Sequence, residues 1–287
     1  MKILRFLIKL IKTIFKLIFL IILLGIAVLW YSVKVEPFRV TKDNVYIETA
    51  FAEDLKIVQI SDVQISENYS TENFKKVIDK INEQDADIFL FTGDLYENYA
   101  EYNSDEELIN LLSSIEARYG KYAVWGNRDY GGGASRVYEN IMQQSGFKIL
   151  CNESEVITLD SGEELFLAGL DDSLLGNPDI ESITYDFSHG EYKYSILMSH
   201  EPDVADLYAD SGFDLIISGH SHGGQVNVPF MPSITTSLAE KYIKGSYELN
   251  DKTTLYVNAG IGTSRYPIRF MVPPEITVFN FEKADKA

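Results

Sequence analysis

Two of the four histidines in this 287-residue chain stand two positions apart, in the stretch ISGHSHGGQV at residues 217–226. The apolar run FDLIIS, which comes directly before them, is typical of a buried β-strand. His220 and His222 are therefore predicted to follow the end of that strand, in a turn that the neighbouring glycines allow to be tight. Imidazole is a frequent ligand of metals, so this spacing predicts a metal site.

Four other apolar runs also end in side chains that can bind a metal. LKIVQI, DIFLFT, YAVW and YSILMS are followed within a few residues by Asp62 and Gln64, by Asp94, by Asn127, and by His200. Each has an ordinary explanation, because Gly-Asp and Gly-Asn pairs are common in turns and a lone histidine is more often structural. Ligand sites in α/β sheets form outside the carboxyl ends of strands, so the five sets together predict one shared site.

The predicted ligands are too many for one tetrahedral ion. Three imidazoles, two carboxylates and two carboxamides suit two divalent ions that share a carboxylate. Mixed nitrogen and oxygen ligands fit Mn, Fe or Zn. Cys151, the single cysteine, excludes an intrachain disulfide and is expected to be a small buried apolar residue.

Alternating strands and helices are predicted to carry these residues. Apolar residues recur at helical spacing in TENFKKVIDKINEQ, ELINLLSSI and RVYENIMQQSG, which lie between short apolar strands. Thr71 is predicted to cap the first helix, and Ser104 with Glu107 to form a capping box at the second. The further strands ELFLAGL, YKYSILMS, FDLIIS and TTLYVNAG favour an α/β layered sandwich with mixed sheets.

Residues 1–34 are predicted to be a stem and a transmembrane helix. Residues 17–33 hold no charge, close to the length of about 20 that spans a bilayer. The alternatives are a buried core helix and a cleaved signal peptide, although the bulky WYSVKVEPF offers no small-residue cleavage site. Basic residues before the span predict a cytoplasmic N-terminus and a body on the outer face of the cell membrane. Residues 35–44 are predicted to be a linker, and residues 45–287 the main domain.

Charge is distributed unevenly along the chain. Residues 1–40 hold seven basic residues and one acid, whereas residues 41–287 hold 18 basic and 42 acidic residues, a net charge of −24. So acidic a body repels polyphosphate, which argues against nucleic-acid binding. His189 lies outside every motif and is expected in a surface loop. Residues 227–245, after the histidine pair, are either a packed connector or a wall of the substrate site.

The motifs closely resemble those of the calcineurin-like metallophosphoesterases, in particular their membrane-associated bacterial branch. DVQ, GD, GNRD, H and GHSH stand where the family has D-x-H, G-D, G-N-H-D/E, H and G-H-x-H, and the resemblance covers roughly residues 53–281. It implies a four-layer α/β/β/α sandwich. It also implies that one metal is held by Asp62, Gln64, Asp94 and His222, and the other by Asp94, Asn127, His200 and His220, with Asp94 bridging.

Two positions depart from the family pattern. Gln64 replaces a histidine, and its carboxamide oxygen either binds the metal or lies beside it with water in between. Arg128 replaces the catalytic histidine; because arginine keeps its proton near neutral pH, it can clamp phosphate oxygens but cannot act as a general acid. GNRD also occurs in the bacterial UDP-diacylglucosamine pyrophosphatases of this family, whose leaving group is a phosphate. The alternative is that Arg128 merely pairs with Asp129.

The resemblance implies a membrane-anchored, metal-dependent hydrolase of phosphoester or pyrophosphate bonds. Its substrate would be a phosphorylated small molecule or a lipid- or nucleotide-linked phosphate, with Arg128 and Asn127 as catalytic residues beside the metals. A binding scaffold of the same fold with weak or no activity is the alternative, because both Gln64 and Arg128 depart from the pattern.

Overall fold

The computed structural model describes residues 2–188 and 190–283, so His189 lies outside the described residues. The helices are α1 (Lys2–Lys34), α2 (Thr71–Asn82), α3 (Asp105–Ser113), α4 (Asn127–Tyr130), α5 (Tyr138–Gln144), α6 (Ile180–Ser188) and α7 (Ala205–Tyr208). The strands are β1 (Thr41–Thr49), β2 (Leu55–Ile60), β3 (Ile88–Phe91), β4 (Lys121–Ala123), β5 (Phe147–Ile149), β6 (Glu153–Thr158), β7 (Glu164–Gly169), β8 (Tyr194–Met198), β9 (Leu215–Ser218), β10 (Gly245–Glu248), β11 (Thr254–Val257) and β12 (Glu275–Lys283).

The strands form two six-stranded sheets, ordered β1-β12-β2-β3-β4-β5 and β10-β11-β9-β8-β7-β6. Both sheets are mixed, since β12 is antiparallel to β2, β10 to β11, and β6 to β7, while the neighbouring pairs are parallel. One apolar cluster joins α2, α3 and α5 to the first sheet, a second fills the space between the sheets, and a third joins α6 and α7 to the second sheet. The predicted four-layer α/β/β/α sandwich is confirmed.

Strand β2 shows why buried strands could be predicted from the apolar runs. Its bounds match LKIVQI residue for residue, and every residue in it except Lys56 is buried. Successive side chains point to opposite faces, so Ile57 contacts the cluster between the sheets while Val58 and Ile60 pack under α2. A strand that is covered on both faces reads as a continuous apolar run.

Strands β1, β5, β6, β10 and β12 were not predicted. β1 and β6 are edge strands with several exposed residues, so their sequences lack an apolar run. β12 inserts between β1 and β2, and Thr41 lies opposite Glu275. A short 3-10 helix, Glu36–Phe38, connects α1 to β1. The division into stem, linker and main domain stays a prediction.

The predicted helix caps are wrong. Helix α2 begins at Thr71, and the flanking Ser70 makes no side-chain cap; Ser104 before α3 makes none either. Instead, the Thr71 hydroxyl donates to Glu107 Oε2 at 2.6 Å. The hydrogen bond between Thr71 and Glu107 therefore joins α2 to α3. The Thr71 hydroxyl bonds this partner on the neighbouring helix instead of its own local backbone.

Helix α1 is long and apolar enough to cross a membrane. Its 18-residue window of highest mean hydropathy reaches 2.6, and none of that window is buried, so the core-helix alternative is wrong. Near its end α1 contacts the body: Ser32 is buried, and its carbonyl oxygen accepts the Arg269 N–H at 3.0 Å.

Candidate metal centre

The predicted ligands meet where the carboxyl ends of β2, β3, β4, β8 and β9 converge from the two sheets. Asp94, His200 and His220 are all buried, and each offers a ligand atom within 4.8 Å of those of the others. His200 Nε2 lies 3.4 Å from Asp94 Oδ1 and 3.2 Å from His220 Nδ1. This spacing suits one cation held by three side chains.

A second group lies on the other side of the Asp94 carboxylate. His222 Nε2 is 3.4 Å from Asp62 Oδ1, and Gln64 Nε2 is 3.0 Å from His222 Nε2. The same Gln64 nitrogen lies 3.1 Å from Asp94 Oδ2, the carboxylate oxygen opposite the one near His200. Asp94 therefore faces both groups of side chains.

Unpaired oxygen atoms show that the site fits a metal. Among the described residues, the buried Asp62 Oδ1, Gln64 Oε1 and Asn127 Oδ1 have no hydrogen-bond partner. Buried oxygen atoms are nearly always paired, so free lone pairs beside three imidazoles fit divalent cations. A half-turn of the Gln64 carboxamide would exchange its two atoms and direct Oε1 towards Asp94 and His222.

Two carbonyl groups orient the histidine rings. His200 Nδ1 lies 2.6 Å from the Thr92 carbonyl oxygen, and His220 Nε2 lies 2.9 Å from that of Ser237. An N–H donated to a carbonyl leaves the other ring nitrogen free to bind a metal. Ser237 belongs to the 227–245 segment, so part of that segment orients a predicted ligand, a role that no local signal indicated.

The local charges favour the ligand forms of most of these groups. Burial lowers the pKa of His222 to about 3, and burial with the nearby His200 also lowers the pKa of His220. Burial alone would raise the pKa of Asp94, but His200 holds it below its ordinary value. Burial disfavours charge on His200 too, yet Asp94 raises its pKa. The negative charge of Asp94 stabilises a proton on His200. A cation held by both side chains would take the place of that proton.

The backbone is strained at most of the predicted ligands. Five of them have a left-handed φ between 47° and 66°: Asp62, Gln64, Asp94, His220 and His222. Such a conformation costs on the order of 1–3 kcal/mol per non-glycine residue and concentrates at functional sites. The strand-end turns thus bend the chain sharply enough to bring the predicted ligands from both sheets together.

Two glycines let the chain segments approach. A Cβ atom at Gly219 would collide with the Ser61 side chain and come within 2.5 Å of Asp62 Oδ2. A Cβ atom at Gly126 would collide with the Asp94 carboxylate and lie 2.9 Å from His200 Cε1. These contacts explain on steric grounds why glycine stands at the start of GNRD and of GHSH.

Arg128 is held at the edge of the site, but not by Asp129. Its backbone N–H donates to Asp94 Oδ1 at 2.7 Å, and its guanidinium Nη2 lies 3.0 Å from Ser264 Oγ and 3.3 Å from Glu97 Oε1. The Asp129 carboxylate instead accepts the backbone N–H groups of Asp94, Leu95 and Gly126. The pairing of Arg128 with Asp129 is therefore not observed, and Asp129 holds the GD and GN turns together.

A cleft of about 570 Å³ opens beside Arg128. It is lined by Ser66, Glu67, Asn68, Glu97, Asn98, Glu101, Tyr102, Arg128, Thr263, Arg265, Tyr266 and Pro267. Its lining combines acidic, basic and aromatic side chains.

Arg269 is a further residue that the sequence analysis missed. It is fully buried, and its guanidinium donates to the carbonyl oxygens of Ala259 and Gly262, with Nη2 3.5 Å from His222 Nδ1. Burial lowers its pKa to about 10. Arginines are seldom buried, so nothing in the local pattern RYPIRF indicated this position.

A model of the calcineurin-like phosphoesterase domain matches residues 55–224, more than half of the chain. The metallophosphoesterase YkuE of Bacillus subtilis is 40% identical over 231 residues, which are 80% of each protein. The chain therefore belongs to the calcineurin-like phosphoesterase family and is a metal-dependent phosphoesterase.

Two further relatives extend the comparison. The Campylobacter jejuni metallophosphoesterase Cj0846 is 34% identical over 80% of this chain, which spans 59% of that relative's length. The UDP-2,3-diacylglucosamine pyrophosphatase LpxG of Chlamydia trachomatis is 28% identical, over a match that covers 83% of this chain and 87% of that relative.

Proposed function

We propose that this protein is a membrane-anchored hydrolase that uses two divalent ions to cleave a pyrophosphate or phosphoester bond in a lipid- or nucleotide-linked substrate. The observation that carries the proposal is the pair of side-chain groups on opposite sides of Asp94, with unpaired buried oxygen atoms on Asp62 and Gln64 among them. One cation would not use all of these ligands, whereas two would share Asp94.

Asp62, Gln64, Asp94 and His222 would hold one ion; Asp94, Asn127, His200 and His220 would hold the other. When bound, the ions supply Lewis acidity towards phosphoryl oxygens and activate water at neutral pH. Mn, Fe and Zn all accept this set of nitrogen and oxygen ligands.

Arg128 would bind phosphoryl oxygens between the metal centre and the cleft. Its ion pair with Glu97 and hydrogen bond with Ser264 hold the guanidinium in place, and its side chain remains 30% exposed. Because arginine does not release its proton near neutral pH, it stabilises negative charge but does not protonate a leaving group. A phosphate leaving group needs no such proton, which favours pyrophosphate substrates.

The printed name of the Chlamydia relative supports a lipid-linked pyrophosphate as substrate, since that protein is a UDP-2,3-diacylglucosamine pyrophosphatase. A long apolar helix before the body supports attachment to the bilayer that would hold such a lipid. We further propose that α1 spans the membrane with its N-terminus in the cytoplasm and the body on the outer face, because the basic stem precedes the span.

The test is hydrolysis by the purified full-length protein across phosphomonoesters, phosphodiesters and pyrophosphates, each with Mn²⁺, Zn²⁺ or a chelator. We expect metal-dependent release of phosphate or of a nucleoside monophosphate, fastest from pyrophosphates. Full activity after exhaustive chelation would contradict the metal mechanism. Metal binding without turnover of any substrate would favour the binding scaffold.

A further inference from the structure

Two adjacent loops expose large apolar side chains. Phe230 is completely exposed, and Met231, Ile234, Tyr266 and Met271 are each more than half exposed. The backbone of Phe230 and Met271 is left-handed, with φ of 68° and 58°, although bulky residues rarely adopt it. An apolar patch held outward in this way marks an interaction site rather than an unpacked core.

Backbone hydrogen bonds join the two loops into one surface. The Asn227 N–H donates to the Phe270 carbonyl at 2.8 Å, and the Phe270 N–H donates to the Gln225 carbonyl at 3.0 Å. We call the exposed apolar side chains of residues 228–234 and 266–271 the apolar face.

The apolar face adjoins the end of α1. The Arg269 N–H donates to the Ser32 carbonyl at 3.0 Å, and the Val272 N–H donates to Glu36 Oε1 at 2.7 Å. Glu36 is itself buried, so this junction is packed. Phe230 is three residues from Asn227, hence at most about 11 Å from it. The exposed loops therefore begin at the point where the apolar helix enters the body.

Charge around the apolar face differs from that of the rest of the body. Residues 223–239 contain no charged side chain, and residues 253–274 contain Arg265 and Arg269 but no acid, whereas residues 41–287 carry a net charge of −24. The exposed Lys34 and Arg39 flank the end of α1. The two loop segments contribute no acid of their own, and Arg265, Lys34 and Arg39 are the exposed basic residues beside them. Such a surface complements anionic lipid headgroups above an acyl layer.

We propose that the apolar face inserts into the lipid leaflet in which α1 ends, as a second membrane contact beside the anchor. Tyr266 and Pro267 line the cleft next to Arg128, so the contact turns the cleft towards the bilayer. The Ser237 carbonyl oxygen, just beyond the apolar face, lies 2.9 Å from His220 Nε2 and accepts the ring N–H there, which connects the contact to the candidate metal centre. The inference rests on the anchor role proposed for α1.

The test uses the full-length protein in anionic vesicles. In a Cys151→Ser background, Phe230→Cys and Met271→Cys each receive an environment-sensitive fluorophore, which lipids with brominated acyl chains can quench. The matched control is Val156→Cys on β6, because Val156 is also exposed and β6 lies at the opposite edge of the second sheet from β10 and β11. Flotation with the vesicles measures separately whether the protein is attached to the membrane. Neither the fluorescence nor the flotation measurement requires catalysis.

We expect blue-shifted emission and strong quenching at positions 230 and 271, with water-like, unquenched emission at position 156. Water-like emission at all three positions would overturn the proposal, as would equal quenching at all three. Blue-shifted emission without lipid quenching at positions 230 and 271 would show that they pack against protein, such as a second copy of this chain, and would also overturn the proposal. Flotation failure would refute the anchor, and the proposal with it.

A kinetic comparison tests the orienting role. The double variant Phe230→Ser with Met231→Ser should lower kcat/KM for diacylglycerol pyrophosphate in the same vesicles about tenfold, because the apolar contact is lost. Hydrolysis of soluble p-nitrophenyl phosphate should be unchanged. Equal effects on both substrates, or none, would show that the contact does not orient the cleft.

Discussion

Arg128 is the residue that most separates this site from the family pattern. The guanidinium lies 3.0 Å from Ser264 Oγ and 3.3 Å from Glu97 Oε1 at the mouth of the cleft, where the family motif has a histidine. Histidine can give a proton to a departing alkoxide, but arginine cannot. We therefore expect the substitution to change which leaving groups the site can expel.

The leaving-group dependence should reveal the role of Arg128. We expect kcat/KM of the wild type to fall steeply as the leaving group's pKa rises, because a positioned general acid, typically worth about 10²- to 10⁴-fold, is missing. Arg128→His should flatten this dependence while weakening the binding of phosphate oxygens. The measurement is kcat/KM against leaving-group pKa for both proteins, with chemistry rate-limiting. A shallow wild-type slope would mean that another residue donates the proton.

Asp94 should be required for metal binding but not for folding. Asp94→Asn keeps the size of the side chain, and asparagine tolerates the left-handed φ of 64°, but a shared carboxylate is lost. We expect metal content near two ions per chain for the wild type and a clear loss in the variant, with activity at least about 100-fold lower. Asp85→Asn is the matched control, since Asp85 is exposed and has φ of 52°. Unchanged metal content in Asp94→Asn would contradict the bridging role.

At the scale of elements, the site is made by turns rather than by strands. Each predicted ligand follows the carboxyl end of a strand, and the turn after β9 touches the turn after β2: the His220 backbone N–H donates to Asp62 Oδ2 at 2.8 Å. Gly219 allows this contact because a side chain there would occupy the position of Ser61. The two sheets can therefore meet at their carboxyl edges only if one turn lacks a Cβ atom.

Gly219→Ala should separate the two turns. Overpacking of this kind costs about 1–3 kcal/mol, so we expect a lower free energy of unfolding and a larger proportional loss of activity. Urea denaturation of the body and kcat on a soluble substrate measure the two effects. Gly25→Ala in α1 is the control, because nothing lies within 4 Å of a Cβ atom there. A fully active, equally stable Gly219→Ala would refute the close contact.

At the scale of the whole molecule, charge and hydropathy separate the chain into two parts. An exposed apolar helix with a basic stem precedes a body of net charge −24. Basic residues before a span are retained in the cytoplasm, so the body is predicted to face outward.

Protease accessibility should show the orientation. We expect protease added to cells stripped of their outer layers to digest the body while the membrane remains intact, because no bilayer would shield it. A cytoplasmic marker protein provides the control for lysis. Protection of the body until the membrane is lysed would reverse the proposed topology.

The side chains at the strand ends could be predicted from the amino-acid sequence alone. Apolar runs such as LKIVQI must be shielded from water on both faces, and the polar residues that follow them mark where the strands leave the core. These signals are local, so they depend little on the rest of the fold. Strands β1 and β6 gave no such signal, because half-exposed edges do not require an apolar run.

The partners that hold the site in place are visible only in the folded protein. His220 contacts the carbonyl of Ser237, which lies 17 residues further along the chain. His222 contacts Arg269 across 47 residues of sequence, and Arg128 contacts Ser264 across 136. Thr71 likewise bonds Glu107 rather than capping its own helix. Such contacts form between segments that are brought together by the packing of two sheets, and no periodicity within either segment encodes them.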